Sequence, residues 1–573
     1  MSTRLSSGKG LSSKPLPVLS RRQIEGLIAD GRHIIIVDGF VLKVDHWLPY
    51  HPGGDKAIQH MVGRDATDEV TVLHAAETKA QMMKYKIGRI EGIWQNFLPP
   101  IQGGTFRAVT DEEQVLGDQA AATVSHETGG LDIPSASASS REPSPVFDEG
   151  STLRARLTTG GAFDSPASSA SEDEGELKKD LQKTLTPTGF LDSETRKEIS
   201  LDLDKYPSLD SATQDRVAQK YRALNERIEA EGLYRCNYTS YLIEISRYTL
   251  LFAGMLFFLQ RGWYVPSAIC LGIFWHQLVF AAHDAGHMGI THNFHIDSCI
   301  GIFIADFLGG LSMGWWKRSH NVHHIVTNHP EHDPDIEHMP FFAVSHRLLG
   351  SLYSTYYERI MEYDAAAKVL ISIQPYTYYF IMLFGRFNLY RLSWDHLILG
   401  RGPKRGPAAY QRWLEVAGQV FFWTWFGYGI IYKCIPTAWD RFVFVIVSHM
   451  LQSPLHVQIT LSHFAMSTAD LGPAESFPQK MLRTTMDVDC PTWLDFFHGG
   501  LQFQAIHHLY PRIPRHNLRR TQKLVQEFCD DVGIPYALYG FVDGNKTVVG
   551  RLSQVSRQAA ILAECQKSLA THH

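Results

Sequence analysis

Three short clusters of histidine residues have the spacing that metal ligands need. They read His283-Asp284-Ala285-Gly286-His287, His320-Asn321-Val322-His323-His324 and Gln504-Ala505-Ile506-His507-His508. On a helix, positions i, i+3 and i+4 share one face, so each cluster can direct its imidazoles toward one point. Seven histidines and one glutamine are about what two metal ions need as ligands. Neutral imidazole suits iron, copper and zinc, so the spacing alone leaves the metal open.

The second cluster is the most specific of the three. The chain has 28 histidines in 573 residues, and chance alone gives roughly 1.4 HxxxH pairs but only about 0.07 HxxHH triplets. All three clusters also lie beside long apolar segments, where ionisable side chains are costly and are functional by default. The predicted metal ligands are His283, His287, His320, His323, His324, Gln504, His507 and His508.

A different motif lies nearer the start of the chain. A strand-like run with a turn, residues 34–39, is followed by His51-Pro52-Gly53-Gly54 and later by His74. These residues resemble a cytochrome b5 domain, and the likeness runs from Val18 to about Gly92. The resemblance implies haem b with His51 and His74 as its two axial ligands. An imidazole on each face of the iron blocks oxygen binding and suits the haem to electron transfer.

Composition predicts how the first part of the chain is divided. Residues 18–100 would form the haem domain. Residues 101–182 are rich in Ser, Ala, Gly, Pro and acidic residues, which predicts a disordered linker that tethers the haem domain. Residues 183–235 contain good helix formers and are predicted to be a helical segment that approaches the membrane.

Four apolar segments are predicted to cross the membrane as two hairpins. Tyr241–Gln260 and Trp263–Ala282 make the first hairpin, and each is long enough to span. Val416–Tyr432 and Phe442–Leu461 make the second. The loop before the second hairpin, residues 385–413, carries six Arg and Lys residues and should therefore be cytosolic.

Two further apolar segments are predicted not to cross, because a crossing would put the histidine clusters on opposite sides of the membrane. Cys299–Trp316 is predicted to be a buried or interfacial helix with Asp306 turned inward, and Val369–Phe384 to be interfacial. In this topology His463 lies at the cytosolic end of the fourth span, as His283 lies at the end of the second. His463 is therefore a candidate for an extra metal ligand, directly or through water.

The clusters carry a second resemblance. HDAGH, HNVHH and QAIHH, in this order and spacing, resemble the boxes of the membrane fatty-acyl desaturase family. Gln504, with an N-terminal cytochrome b5 domain, resembles the front-end branch of that family, and FQAIHHLYPRIPRHN is similar to fungal delta-8 sphingolipid desaturases. The expected fold class is multidomain. A small α+β haem domain and a disordered linker would precede an all-α membrane domain, residues 236–530, with about four transmembrane helices, a cytosolic cap and a tail at 531–573.

The resemblance also implies the chemistry. Taking hydrogen from an unactivated methylene requires an oxidant made from dioxygen at a redox metal, which excludes zinc. The family implies two non-haem iron ions, with electrons from the cytochrome b5 domain and, upstream, from NADH through a cytochrome b5 reductase. The implied substrate is a sphingolipid, in which the long-chain base of ceramide or glucosylceramide would gain a double bond.

Composition indicates the cellular compartment of the protein. The net charge of −5 implies no general affinity for nucleic acid. Seven cysteines without a CxxC pair fit a reducing compartment and argue against disulfides. The first 17 residues are polar and basic with no apolar core, so no signal peptide is expected. We expect an integral membrane protein of the endoplasmic reticulum, with the haem domain and the histidine clusters on the cytosolic side.

Three alternatives stay open at this point. A front-end acyl-lipid desaturase would share the same boxes but act on fatty acyl chains. A lipid hydroxylase fused to cytochrome b5 would use the same iron chemistry to insert oxygen, although a third cluster that begins with Gln504 speaks against it. A membrane-tethered haem electron carrier would have an inactive histidine domain, and the intact clusters argue against that reading.

Overall fold

The computed structural model describes residues 16–109 and 186–571. The first module, residues 16–109, is built on a three-stranded antiparallel sheet in the order β1-β2-β3. The strands are β1 (Ile34–Val37), β2 (Phe40–Lys43) and β3 (Lys86–Arg89). Asp38 and Gly39 have φ of 51° and 73°, as a tight two-residue hairpin requires. The strand and turn predicted at residues 34–39 are confirmed.

Four helices cover this sheet, and every residue of β1 is buried. They are α1 (Arg21–Ala29), α2 (Asp55–Gln59), α3 (Thr67–Leu73) and α4 (Ala76–Met82). The first residues of the predicted linker also belong to the module, because Arg22 donates hydrogen bonds to the carbonyls of Arg107 and Ala108. From residue 110 onward, the linker predicted for 101–182 lies outside the described residues.

Helices α5 (Pro187–Lys205) and α6 (Ser211–Ala230) occupy the predicted approach segment. The capping residue of α6 is Asp210, since its carboxylate accepts a hydrogen bond from the backbone N–H of Thr213 at 2.9 Å. Tyr221, on α6, is buried in the same apolar cluster as residues 505–534. The segment is thus part of the helical cap as well as a lead into the membrane helices.

Helices α7 (Tyr238–Gln260) and α8 (Tyr264–Gly286) form the first predicted hairpin, and both are long and apolar enough to cross a membrane. The chain then bends. Helix α9 (Phe294–Ile302) continues as a π-helix, Phe303–Leu308, and meets α10 (Met313–Val326) at 118°. This bend returns the second histidine cluster, on α10, to the end of α8 that carries the first.

Asp306 is fully buried at this bend, as predicted. Its carboxylate accepts hydrogen bonds from the backbone N–H of Met313 at 3.2 Å and from the Gln419 amide at 3.0 Å. A buried carboxylate needs such partners, because burial without them is strongly unfavourable. Asp306 therefore joins the two halves of the bent segment to the neighbouring helix.

The next helices are α11 (Ala365–Ser372), α12 (Gln374–Met382) and α13 (Gly385–Leu399). Strands β4 (Leu352–Ser354) and β5 (Arg359–Met361) form a hairpin before them. The prediction of a basic loop at 385–413 was partly wrong. Its first half forms α13, and Arg386 is fully buried. The Arg386 guanidinium donates to Tyr390, Gln452 and the carbonyl of Gly309. Arg386 therefore does not contribute to the positive surface charge predicted for this loop.

Helix α14 (Gln411–Phe422) continues as a π-helix, Trp423–Cys434, at the predicted third span. Helices α15 (Ala438–Met450) and α16 (Ser453–Phe464) follow as one apolar stretch. Within the described ranges, three helices are long and apolar enough to cross, Tyr238–Gln260, Tyr264–Gly286 and Ala438–Phe464, or four if the bent pair at 294–326 is one span. The α14 segment is not among them; it carries polar residues such as Gln419 and Lys433.

The rest of the chain forms the cap. Its elements are α17 (Phe477–Thr484), β6 (Asp487–Asp489), α18 (Asp495–His498), α19 (Gln504–Leu509), α20 (Leu518–Val532), β7 (Leu538–Gly540) and α21 (Phe541–Thr571). Strand β7 pairs in parallel with β6, and Leu552 on α21 is buried among residues of α12 and α16. Packing thus continues across the boundary predicted at residue 530. The predicted class, a small α+β domain beside an all-α membrane domain, is confirmed.

Candidate active site

The three histidine clusters converge on one place. His283 lies in the last turn of α8, His324 on α10 and His507 on α19. The rings of His283 and His507 are 4.4 Å apart between centroids, and those of His324 and His507 are 4.8 Å apart. Histidines more than 200 residues apart in sequence therefore share one buried volume.

Two groups of nitrogen atoms form within this volume. In each group, one ring nitrogen per residue lies within 4.8 Å of the corresponding atoms of the others. The first group is His283, His287, His320 and His507, and the second is His323, His463 and His508. His324 lies between the groups, with its Nε2 3.1 Å from the Nε2 atoms of both His320 and His507. Two such groups match the need of two metal ions.

The state of His287, His507 and His508 fits metal ligation. Nε2 of His287 is buried without a hydrogen-bond partner in the described part of the chain. Burial lowers the pKa of His287, His507 and His508 well below the usual value, and neighbouring imidazoles lower it further. Neutral imidazole is the form that binds a metal, because a protonated ring has no free lone pair.

His463 joins the second group, as the sequence suggested. Its ring centroid is 4.6 Å from that of His323 and 5.0 Å from that of His508. Gln504 begins α19, is buried, and lies next to the His463 imidazole. Gln504 therefore stands beside the second group.

Asp333 is a site residue that the sequence analysis did not select. Nδ1–H of His323 donates to its carboxylate at 2.8 Å, and the backbone N–H groups of Asn328 and Asp335 donate to it as well. Such a carboxylate fixes the tautomer and the direction of a metal-binding imidazole. The available signal was the acidic residues at positions 331–335, directly after the second cluster.

A second set of hydrogen bonds fixes the position of the first cluster, through Asp284. The Arg515 guanidinium donates to the carboxylates of Asp284 and Glu244, and the Tyr241 hydroxyl also donates to Asp284. Glu244 accepts another hydrogen bond from His516 at 2.9 Å. These contacts explain an acidic residue inside the first span. Glu244 on α7 binds the segment after the third cluster, and Arg515 of that segment also binds Asp284 near the end of α8.

We expect Asp333→Asn to lower the affinity for iron about 10- to 100-fold, because the weaker acceptor no longer orients His323. Competition with a chelator, followed by metal analysis of the purified protein, measures this directly. Asp395→Asn is the matched control, since its half-exposed carboxylate pairs with Arg391 on α13 at 3.0 Å. Equal iron affinity in both variants would contradict this role for Asp333.

The first module presents a second site. The ring centroids of His51 and His74 are 6.0 Å apart. Their Nδ1 atoms face the carbonyls of Gly54 at 2.6 Å and Val70 at 3.2 Å, which leaves both Nε2 atoms available. Two imidazoles bound to one iron, with metal–nitrogen bonds of about 2 Å, place their centroids at a similar separation. Burial also lowers the pKa of His74 to about 3, so this ligand is neutral.

The first module is docked on the helix that carries the second cluster. A side chain at Gly53 would meet both the Asn321 amide and the His51 ring, so only glycine permits this contact. Asp55 forms an ion pair with Arg318 at 2.7 Å. On the other side, Arg512, just after the third cluster, donates to the carbonyl of His74. Both candidate haem ligands thus belong to segments that touch a cluster-bearing segment.

Comparison with known proteins agrees with this arrangement. The fatty acid desaturase family model matches residues 261–540, and that of the cytochrome b5-like heme/steroid binding domain matches residues 20–91. The chain is 62% identical to a Delta 8-(E)-sphingolipid desaturase of Emericella nidulans, over 96% of this chain and 97% of that protein. It is 50% identical to a Delta 8-(E)-sphingolipid desaturase of Kluyveromyces lactis, over 96% and 95%.

A plant relative is more distant. A Delta(8)-fatty-acid desaturase of Helianthus annuus is 34% identical over 60% of this chain and 74% of its own. A cytochrome b5-like domain implies haem, while the desaturase family implies iron and, with the apolar helices, an integral membrane protein. The resemblances drawn from the HPGG motif and the three clusters are confirmed. The chain belongs to the fatty acid desaturase family, as an oxidoreductase whose desaturase domain is fused to a cytochrome b5-like domain.

Proposed function

We propose that the protein is a delta-8 sphingolipid desaturase, which introduces a double bond into the long-chain base of ceramide or glucosylceramide. The observation that supports the desaturase chemistry is the convergence of the three clusters into two groups of imidazoles. They lie beside the docked first module, in which His51 and His74 define the haem crevice. The substrate follows from the identity to fungal Delta 8-(E)-sphingolipid desaturases over nearly the whole chain.

The proposed ligands of two non-haem iron ions are the eight cluster residues together with His463. Iron bound there would supply the dioxygen-derived oxidant that an unactivated methylene requires. Around it, Asp333 orients His323, and Arg515 holds Asp284 beside the first cluster. Burial of the imidazoles excludes bulk water from the reacting centre.

The overall reaction balances as follows. Dioxygen takes two hydrogens from adjacent carbons of the lipid, together with two electrons and two protons. The products are one carbon–carbon double bond and two molecules of water. The two electrons must arrive singly, because a haem carries one electron at a time.

The proposed electron donor is haem b held by His51 and His74 in the same chain. NADH and a cytochrome b5 reductase are the proposed upstream source. The proposed location is the endoplasmic reticulum membrane, with the haem module and the clusters facing the cytosol. The contact of Gly53 with Asn321 supports a common side for both, since it joins the haem turn to the helix of the second cluster.

Product analysis in a lipid-producing host that lacks this activity tests the proposal. With ceramide supplied, we expect a new diunsaturated sphingoid base, detected by mass spectrometry beside an empty-vector control. New unsaturation in fatty acids alone would move the substrate to acyl lipids. A hydroxylated product would indicate the hydroxylase, and no product from protein with haem and iron bound would contradict desaturation.

A further inference from the structure

A narrow cleft lies between the docked first module and the first cluster. Its walls include Pro52 and Gly54 of the HPGG turn, and Ala285 and Gly286 of the first cluster. The volume open to solvent in the cleft is about 30 Å³, and a single water needs roughly 10–15 Å³. The cleft therefore has room for one or two small polar groups, next to residues proposed to hold iron.

Two polar atoms face the space that Gly314 leaves open by having no side chain. A Cβ added at Gly314, in the first turn of α10, would be 2.6 Å from Oε1 of Glu415 and 3.2 Å from Nε2 of His396. All three residues line the cleft. Both distances are in the range of hydrogen bonds, so one polar group beside Gly314 is within reach of both atoms.

Glu415 is buried, and in the described part of the chain only one of its two oxygens has hydrogen-bond partners. Oε2 accepts from the Ser312 hydroxyl at 2.5 Å and from the backbone N–H of Gly314 at 3.0 Å. Oε1, the atom that faces the cleft, accepts from none of the described residues. Buried carboxylate oxygens need a donor, because burial without one is unfavourable.

The basic residues near the cleft do not supply this donor. Arg318 pairs with Asp55 at 2.7 Å, and Arg412 donates to the carbonyl of Leu397 at 2.9 Å. Within the described ranges, neither arginine forms an ion pair with Glu415. The position beside Oε1 is therefore suited to a donor that comes from a ligand.

His396 indicates the kind of donor. Its side chain is buried, and Nδ1 has no hydrogen-bond partner among the described residues. Burial lowers the pKa of His396 to about 4, so its ring is neutral. A hydroxyl both donates and accepts, so it can give its hydrogen to Glu415 and still bind Nε2 of His396. An anionic group would be repelled by the Glu415 carboxylate.

The position of the new double bond places such a hydroxyl here. A sphingoid base carries its terminal hydroxyl on carbon 1, and the proposed reaction acts on carbons 8 and 9. The hydroxyl must therefore bind within the length of eight carbons from the metals. The cleft meets this requirement, because Ala285 and Gly286 in its wall lie between His283 and His287 in the sequence.

We propose that this cleft binds the terminal hydroxyl of ceramide, with Glu415 Oε1 as the acceptor and His396 Nε2 as the second contact. The inference rests on the proposed sphingolipid substrate and adds the residues that recognise its polar end. A glucose on that oxygen replaces the hydroxyl hydrogen and exceeds the volume of the cleft. The site therefore favours ceramide over glucosylceramide.

Equilibrium binding of lipids to the full-length protein tests the assignment. The purified chain in nanodiscs is titrated with tritium-labelled ceramide, with 1-deoxyceramide, which lacks only the terminal hydroxyl, and with glucosylceramide. We expect wild-type protein to bind ceramide roughly tenfold more tightly than the other two lipids, because each of them loses a hydrogen bond to a buried carboxylate.

Two substitutions test whether the hydroxyl binds at this cleft. Glu415→Gln keeps the volume and removes the charge, so ceramide should bind about tenfold more weakly while binding of 1-deoxyceramide is unchanged. Gly314→Ala puts a methyl group into the space between Glu415 and His396 and should have the same selective effect. Glu527→Gln is the matched control, since this exposed carboxylate of the cap pairs with Arg227 at 2.7 Å.

Three results would overturn the proposal. Equal affinity of wild-type protein for ceramide and 1-deoxyceramide would show that Glu415 and His396 bind only water. Equal loss of affinity for both lipids in Glu415→Gln would show a structural role, and full ceramide affinity in Gly314→Ala would place the hydroxyl elsewhere. Failure to bind any of the three sphingolipids would contradict the proposed substrate as well, which separates failure of this inference from failure of the proposed function.

Discussion

Replacing His323 by alanine is expected to abolish desaturation, with product formation reduced at least about 100-fold. The second group of imidazoles contains His323, His463 and His508, so the substitution leaves only two. Loss of a partner such as Asp333 already costs roughly 10- to 100-fold, and loss of the ligand itself should cost more. Bound iron should fall from about two ions to about one per chain, because two remaining imidazoles hold a metal weakly.

Metal analysis of purified protein and mass spectrometry of the lipid product measure the two effects of this change. His295→Ala is the matched control, since His295 is exposed on α9 of the same domain and its Nδ1 contacts the Tyr410 hydroxyl. That control should keep both iron ions and full activity. A His323→Ala protein with two iron ions and normal product would refute the assignment of the second group.

Replacing His51 by alanine is expected to remove haem and to stop desaturation while leaving iron in place. His51 is one of two imidazoles whose ring centroids are 6.0 Å apart and whose Nδ1 atoms contact backbone carbonyls. Without it the iron loses one axial ligand, and the low-spin absorption spectrum of a bis-imidazole haem should disappear. In a host without its own cytochrome b5, product should fall at least roughly tenfold, because electrons no longer arrive.

Absorption spectroscopy, iron analysis and product analysis on one preparation distinguish this loss from misfolding. His33→Ala is the control, because His33 lies in the same module and forms its hydrogen bond with Asp45 at 3.1 Å, away from the crevice. Undiminished desaturation by a haem-free His51→Ala protein, in that same host, would exclude the fused haem as the electron donor.

Local spacing was enough to identify the imidazole clusters from the sequence. In the second cluster, His320, His323 and His324 lie on one helix face, and a helix forms there because the run contains no breaker. The HPGG turn was equally identifiable, because its residues are consecutive and Gly54 adopts a φ of 85°, which favours glycine. Such signals depend on residues that are neighbours in the sequence, so they can be recognised without the structure.

Contacts between distant segments could not be predicted from the sequence in the same way. Asp333 was missed because its role depends on the direction of the His323 ring after folding. Arg386 was counted among the charges of a loop, although it is buried and donates to two distant acceptors, Gln452 and the carbonyl of Gly309. Nothing in the local sequence distinguishes a paired, buried arginine from a solvated one.

Residue types and spacing were sufficient to identify the chemistry available to this protein: imidazoles at ligand spacing, an HPGG motif, and apolar segments long enough to cross a membrane. The folded chain was needed to see that the imidazoles form two groups, that His463 belongs to the second group, and that the HPGG turn lies against α10. Periodicity and residue type act within a few residues, whereas the relative placement of α8, α10 and α19 depends on packing across more than 200 residues of chain.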